Sequence, residues 1–213
     1  DFKELNDWET VIFVYQSALK QVETKIDILN GEFQHRHKYN PIEHVKSRIK
    51  TPESIVKKLK RHGYESSIEN MVRYVNDIAG IRISCSFTSD IYLIADMISK
   101  QNDLTILARR DYMKNPKKSG YRSYHMLVTT PVFLSDSIID TKVEIQIRTV
   151  AQDFWATLEH KMHYKFEGDG PDYITKELRE CARYVAELDT RMEELNNEIQ
   201  KYGKSSDKNE KSP

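Results

Sequence analysis

The sequence predicts a mixed α/β domain bracketed by two long helices. Apolar residues spaced alternately three and four apart mark both ends of the 213-residue chain. Between them, short segments alternate with period two, as half-buried strands do, and amphipathic segments of helical period separate or follow them. The length suits one compact domain with flanking helices rather than two full domains.

The first helical pattern runs from Leu5 to Leu29, with Leu5, Trp8, Ile12, Tyr15, Leu19, Val22, Ile26 and Leu29 on a heptad seam. Asn30-Gly31 reads as its stop. Pro41 to Ser47 reads as a short helix. Thr51-Pro52-Glu53 opens another, with Thr51 as N-cap and Pro52 at the first position, and Gly63 ends it. A further helix spans Ser66 or Ser67 to Val75. Strands are predicted at Ile81–Phe87, Leu104–Ala108, Ser123–Thr130, Val132–Leu134 and Lys142–Thr149, with helices at Ile91–Ser99 and Val150–His163. The last pattern places Ile174, Leu178, Cys181, Val185, Leu188, Met192, Leu195 and Ile199 on a second heptad seam. Seams this narrow suit helix pairing, within the chain or between subunits. The Lys/Ser/Glu-rich tail after Lys201 is predicted to be disordered. The chain thus divides into a helix over 1–32, a central α/β unit over 33–165, a helix over 166–202 and a tail over 203–213.

Composition excludes several classes. Thirty-three basic and 33 acidic residues cancel, which argues against a globally basic nucleic-acid binder. The two cysteines, Cys85 and Cys181, form no CxxC pair, so a disulfide framework is not expected and a reducing cytoplasm fits. No apolar run is long enough to span a membrane, and no signal peptide is visible. Neither a P-loop nor a GxGxxG fingerprint is present.

Three constellations carry chemistry. In Lys142-Val-Glu-Ile-Gln-Ile-Arg-Thr149, alternation puts Val143, Ile145 and Ile147 on one face and Glu144, Gln146 and Arg148 on the other. In Asp77-Ile-Ala-Gly-Ile-Arg82, Asp77 precedes a buried strand with the opposite parity to Arg82, and a bulge at Gly80 would reset the face. Asp77 and Glu144 are the best candidate pair for Mg²⁺, which takes one or two carboxylates plus phosphate oxygens. Two stretches, Pro41–His62 and Lys100–Arg122, each carry seven cations against two acids, giving local fields suited to polyphosphate. Arg48 and Lys50 precede a helix whose first turns carry Ser54 and Lys58, four apart on one face, and its N-terminus adds free N–H groups. Lys57 and Lys60 read as solvated. In Ser119-Gly-Tyr-Arg-Ser-Tyr-His125, alternation groups Tyr121, Ser123 and His125, suited to stacking a base and touching phosphate or ribose, behind a basic Lys117-Lys118 loop. Phe154, Trp155 and Cys85 read as core, and His35, His37 and His44 as solvated rather than metal ligands.

Taken in order, Arg48-Ile-Lys50, Asp77-Ile-Ala-Gly-Ile-Arg82, Gly120-Tyr-Arg-Ser-Tyr-His125, Glu144-Ile-Gln-Ile-Arg-Thr149 and Phe154-Trp-Ala-Thr-Leu-Glu-His160 resemble the synthetase domain of the RelA/SpoT homologue family. The terminal helices resemble those of its small alarmone synthetases, RelP-like rather than RelQ-like. The resemblance implies a nucleotidyltransferase-like fold related to DNA polymerase β, with tetramers formed through the terminal helices. It implies a cytoplasmic GTP pyrophosphokinase of the stringent response, without hydrolase activity. Such an enzyme moves the β,γ-pyrophosphate of ATP to the ribose 3′-hydroxyl of GDP or GTP and releases AMP. Carried over by motif, Asp77 and Glu144 would bind Mg²⁺ and Glu144 would activate the 3′-hydroxyl. Arg48 and Arg82 would sandwich adenine. Lys50, Ser54, Lys58 and Arg61 would hold the ATP phosphates. Tyr121 would stack on guanine, and His125, Gln146, Lys117 and Lys118 would contact the acceptor or the transferring phosphates. RelQ-type members use a phenylalanine and an asparagine in a central alarmone site where this chain has His44 and Asp153. An acid there would repel polyphosphate, so weak or absent activation by the pentaphosphate product is expected. Two alternatives stand beside this reading: pyrophosphorylation of a tRNA 3′ end, and a non-enzymatic helical scaffold. Nucleic acid is not required by the motifs.

Overall fold

The structure is a computed structural model that describes residues 7–165 and 171–209, without the side chains of 163–165 and 203–209. The predicted outline, strands between two long helices, is the observed one. Helix α1 (Trp8–His37) starts at Asp7, whose carboxylate accepts from the Thr10 N–H, and ends on Lys38 in the left-handed region at φ 51°. It therefore runs through Asn30-Gly31, the expected stop. One interior glycine costs only about 1 kcal/mol, and the Glu32–Arg36 ion pair and the Phe33–His37 ring contact continue the turn-to-turn pairing beyond it.

The segment expected as a helix at Pro41–Ser47 is strand β1 (Ile42–Ile49). The reason is a β-bulge. Ile42, Val45 and Ile49 have helical spacing, but a register shift between Ile42 and His44 resets parity, so the odd step from Ile42 to Val45 is compatible with a strand. After it come α2 (Pro52–Arg61), α3 (Ile68–Tyr74), β2 (Ala79–Cys85), α4 (Thr88–Ser99) and β3 (Thr105–Asp111). The two strands expected across Ser123–Leu134 are one, β4 (Tyr124–Phe133), which carries Pro131. Proline is tolerated there because β3 stops pairing at Thr129, so no neighbour on that side needs its missing N–H. Strand β5 (Ile138–Thr149) starts earlier than expected, pairing with β4 up to Phe133↔Ile138. Helices α5 (Val150–Lys165) and α6 (Asp172–Asn209) complete the fold. Helix α6 continues past Lys201 into the stretch whose composition predicts disorder; residues 210–213 of that tail lie outside the described residues.

The sheet order is β1-β2-β5-β4-β3, with β2 and β5 parallel and the other neighbours antiparallel. Ile81, Ile83, Met126, Val128, Val143, Ile145 and Ile147 form one buried cluster with α1 and α4. The seam of α1 is committed there: Tyr15, Leu19, Val22 and Ile26 are all buried against their own sheet. A second, smaller cluster joins Trp155 and Ala156 of α5 to Ala182 of α6, with the Trp155 indole N–H donating to the Leu178 carbonyl at 2.8 Å. Phe154, expected in the core, is exposed on the opposite side of α5. Among the described residues, no helix is long and apolar enough to cross a membrane.

Candidate active site

The polar face of the sheet collects the candidate residues because their parities agree across strands. In register, Arg48 lies opposite Gly80 and Lys46 opposite Arg82. Gly80 lies opposite Glu144, Arg82 opposite Gln146, and Gln146 opposite His125. Lys46, Arg48, Arg82, Glu144, Gln146 and His125 therefore share one face. Asp77 stands just before β2, so its parity relative to Arg82 needs no bulge at Gly80, and the pairing shows none there. Asp77 and Glu144 line one cleft of roughly 250 Å³ together with Arg48, Arg82 and Gln146. An adjoining cleft of roughly 420 Å³ shares Arg48, Arg82 and Gln146 and adds Lys117, Tyr121, His125 and Arg148.

Each carboxylate has its own holders. The Lys50 ammonium donates to Asp77 Oδ2 at 2.8 Å and that of Lys58 to Oδ1 at 2.7 Å. Lys58 reaches Asp77 because Thr51 caps α2, accepting from the Ser54 N–H, and sets that helix end beside the sheet. Burial pushes the Asp77 carboxyl up, but the two lysines outweigh it and hold it below its ordinary value. Glu144 is also raised by burial. His125, with Nδ1 at 3.6 Å from Oε1, and the Gln146 amide, donating to Oε2 at 3.2 Å, bring it net below its ordinary value. The charge of Asp77 pushes the other way, so the two acids sense one another.

Behind them runs a chain of oriented groups. Arg148 Nη2 donates to Gln146 Oε1 at 3.3 Å, which fixes the amide so that its NH₂ faces Glu144. Arg148 is 2% exposed, lies 5.7 Å from the Tyr121 ring centre and has Nε 3.3 Å from Asp153 Oδ1; Arg82 Nη1 is 3.5 Å from the same oxygen. These are ion-pair separations without hydrogen-bond alignment, since Arg82 Nε, Arg148 Nε and Asp153 Oδ1 are buried without one. The Tyr121 hydroxyl and His125 Nε2 are 2.9 Å apart, and the Lys117 ammonium sits 4.7 Å from the Tyr121 ring centre.

Most expected site residues converge. Arg48 does so from an edge strand rather than from an entry loop. Four stand apart: Ser54 is exposed and bonded to the Thr51 hydroxyl at 3.0 Å, Arg61 is exposed in the last turn of α2, Lys118 is exposed and lines neither cleft, and Ser123 is buried with its hydroxyl donating to the Ile147 carbonyl at 3.2 Å. Strand alternation starts only at Tyr124, so Tyr121 reaches His125 from the loop before β4. Sequence reasoning puts Arg148 on the face of Glu144 and Gln146 without giving it a role, and passes over Lys142, although the same parity marks it.

The donor set fits a hard divalent cation: two carboxylates on one cleft wall leave the remaining oxygen positions to phosphate. Among the described residues no cluster of three or more His, Cys, Asp or Glu competes as a metal site.

A five-stranded mixed sheet presenting two carboxylates inside a wall of arginines and lysines defines a protein that handles phosphorylated nucleotides. Residues 47–169 match the family described as "Region found in RelA / SpoT proteins". GTP pyrophosphokinase YwaC of Bacillus subtilis (strain 168) is 45% identical over 92% of this chain and 93% of its own. The crystal structure of small alarmone synthetase 2 from Bacillus subtilis superposes with a TM-score of 0.82 at 44% identity, covering 90% of this chain and 99% of that one. That of small alarmone synthetase 1 from the same organism, bound to its product pppGpp, gives 0.84 at 34% identity over 91% and 98%. The chain belongs to the RelA/SpoT family.

Proposed function

We propose that the chain is a GTP pyrophosphokinase, an alarmone synthetase that transfers the β,γ-pyrophosphate of ATP to the ribose 3′-hydroxyl of GDP or GTP and releases AMP. The observation that carries the reading is the meeting of Asp77 and Glu144 in one cleft walled by Arg48 and Arg82. The chemistry follows from these residues. Arg48 and Arg82, on adjacent strands, bracket the adenine. Lys50 and Lys58, now on Asp77, exchange that carboxylate for phosphate oxygens when ATP enters, with Ser54 beside them. Tyr121 stacks on guanine, while Lys117 and His125 face the acceptor. Glu144 is ionised and held at both oxygens, so it takes the 3′-hydroxyl proton as the oxygen attacks the β-phosphorus. Held in line, the two nucleotides react with little remaining entropic cost. A Mg²⁺ ion held by Asp77 and Glu144 would neutralise charge on the transferring phosphoryl oxygens.

The RelP-like placement is supported by Asp153. At the position of the RelQ-type asparagine, its charge faces Arg82 and Arg148 within its own chain. A homo-oligomer, by family resemblance a tetramer, is supported by a bare apolar row along α6. The free state of Cys85 and Cys181 suits the cytoplasm.

The test is incubation with ATP, Mg²⁺ and GDP or GTP, followed by resolution of the products. AMP and a 3′-pyrophosphorylated guanine nucleotide are expected in equal amounts. Glu144→Gln should lower kcat by about 10²–10⁴-fold while both nucleotides still bind. Near wild-type turnover in that variant would remove Glu144 as the base, and a wild type that makes no AMP would end the reading.

A further inference from the structure

The two carboxylates come from different elements, and something must fix their spacing. Asp77 is held by Lys50 and Lys58, which belong to the β1 end and α2. Glu144 is held by His125 and Gln146, on β4 and β5. Neither set of holders touches the other acid. Parallel pairing of β2 with β5 begins only at Gly80↔Glu144, three residues after Asp77. Asp77 itself lies outside that pairing, and the Lys50 N–H, donating to the Ile78 carbonyl at 2.8 Å, ties its neighbour to the β1 side rather than to β5.

Lys142 supplies such a tie. It lies two residues before Glu144 on the same strand and hence on the same face. Its ammonium donates to the Val72 carbonyl at 3.0 Å, the Arg73 carbonyl at 3.2 Å and Asn76 Oδ1 at 3.0 Å. An ammonium has three donors, and all three are used on this one segment. Two acceptors are carbonyls in the last turn of α3, which have no partner within the helix. The third belongs to the residue immediately before Asp77.

We propose that Lys142 is a positioning residue that locks the Asp77 segment to β5 and thereby sets the separation of the two carboxylates for a divalent cation. This rests on the synthetase reading. Lys142 lines neither cleft; it acts through the place where the Asp77 backbone is held. Partners that orient metal-binding groups typically cost 10–100-fold in metal affinity or activity when removed.

The test uses the full chain with Mn²⁺ as the probe, titrated by electron paramagnetic resonance in the presence of a non-reacting ATP analogue bridged by methylene between its α- and β-phosphates. Lys142→Met should weaken Mn²⁺ binding about tenfold. Asn76→Ala, which removes one acceptor from an exposed position, should weaken it about threefold, and Lys142→Arg should recover part of the loss. Affinity for the analogue in the presence of a chelator should stay within about twofold in each variant, because Arg48, Arg82, Lys50 and Lys58 are intact. A purely structural role would lower the melting temperature without moving Mn²⁺ affinity. If both Lys142→Met and Asn76→Ala bind Mn²⁺ within twofold of wild type, the lock is wrong; should Lys142→Met fail to fold, Asn76→Ala alone decides. A wild type that binds no Mn²⁺ and produces no AMP overturns the synthetase reading itself, whereas an active, Mn²⁺-binding wild type with unaffected variants overturns only the lock.

Discussion

Glu144 has two properties that the proposed role as base requires: it is partly buried, and its carboxyl is held below its ordinary pKa. Burial alone would raise its pKa and leave it protonated more often. The His125 contact and the Gln146 amide reverse that, so its folded pKa lies below the ordinary value of 4.5. A carboxylate depressed in this way contributes stability that is complete above its unfolded pKa. That stability is lost only as pH falls through the folded value. Asp77 behaves in the same direction through Lys50 and Lys58. The expected outcome is a Glu144 carboxyl that titrates below 4.5 in ¹³C NMR of the free protein, assigned by its disappearance in Glu144→Gln. Replacing His125 by Ala should move that midpoint upward, since the largest group lowering it is gone. A midpoint above 4.5 in the wild type would reverse the electrostatics derived for this site. At this scale the sequence was informative wherever parity decides: alternation alone puts Glu144 and Gln146 on one face of β5 and Arg82 on the polar face of β2, and pairing of the two strands joins those faces. The holders of Asp77 were half legible. Lys58 shares a helical face with Ser54, yet nothing local says that this face meets the turn before β2. The ties made by Arg148, Asp153 and Lys142 are long-range contacts that no local pattern encodes.

Among the elements, the junction of β5 and α5 joins the candidate site to the C-terminal helix. Thr149 ends β5 and begins α5. Its hydroxyl accepts from the Gln152 N–H and its own N–H donates to Gln152 Oε1, both at 3.1 Å, a reciprocal cap on the helix start. Asp189, reaching in from α6, accepts from the Thr149 hydroxyl at 2.7 Å and from Gln152 Nε2 at 3.0 Å. One oxygen on α6 thus secures the turn from which Asp153 faces Arg82 and Arg148. Burial raises the Asp189 carboxyl above its ordinary value despite these bonds. For a raised carboxyl the sign is opposite to that of Glu144: its destabilising effect grows as pH rises from the ordinary aspartate range through the raised value. Asp189→Ala should cost about 2 kcal/mol through two lost bonds to a buried acceptor, lowering Tm by roughly 4–8 °C. Asp189→Asn keeps an acceptor and removes the buried charge, so it should cost less than half as much, and its Tm should gain on wild type as pH rises. Equal losses in the two variants, by calorimetry, would show that the charge rather than the acceptor matters. Helices and strands with a single period were readable from the sequence. Strand β1 was not, because its bulge gives Ile42, Val45 and Ile49 a helical spacing that only pairing with β2 reveals.

For the whole molecule, the two heptad seams have different fates. Residues of the first are buried between α1 and its own sheet, with Val14 beside them at 0% exposed. The second divides along α6. Leu178 and Val185 pack against the Trp155 cluster, whereas Leu188, Met192, Leu195 and Ile199, 46–70% exposed, continue the row uncovered. Heptad spacing shows that both helices pair with something, but not with what, since burial against a sheet and burial against another subunit select the same residues. Covering a leucine or isoleucine side chain fully is worth about 1.5–3 kcal/mol. A self-association built on this row therefore loses several kcal/mol when two of its members become charged. Leu195→Glu with Ile199→Glu should reduce the molar mass found by light scattering after gel filtration to a smaller assembly, while far-UV circular dichroism and the AMP-forming activity of the released subunits report an intact fold. Val14→Glu makes the opposite comparison: charge placed in the buried seam of α1 should unfold the chain rather than separate it. If the double α6 variant keeps the wild-type mass, the row is covered by something other than a second copy of this chain, and the assembly must be sought elsewhere on its surface.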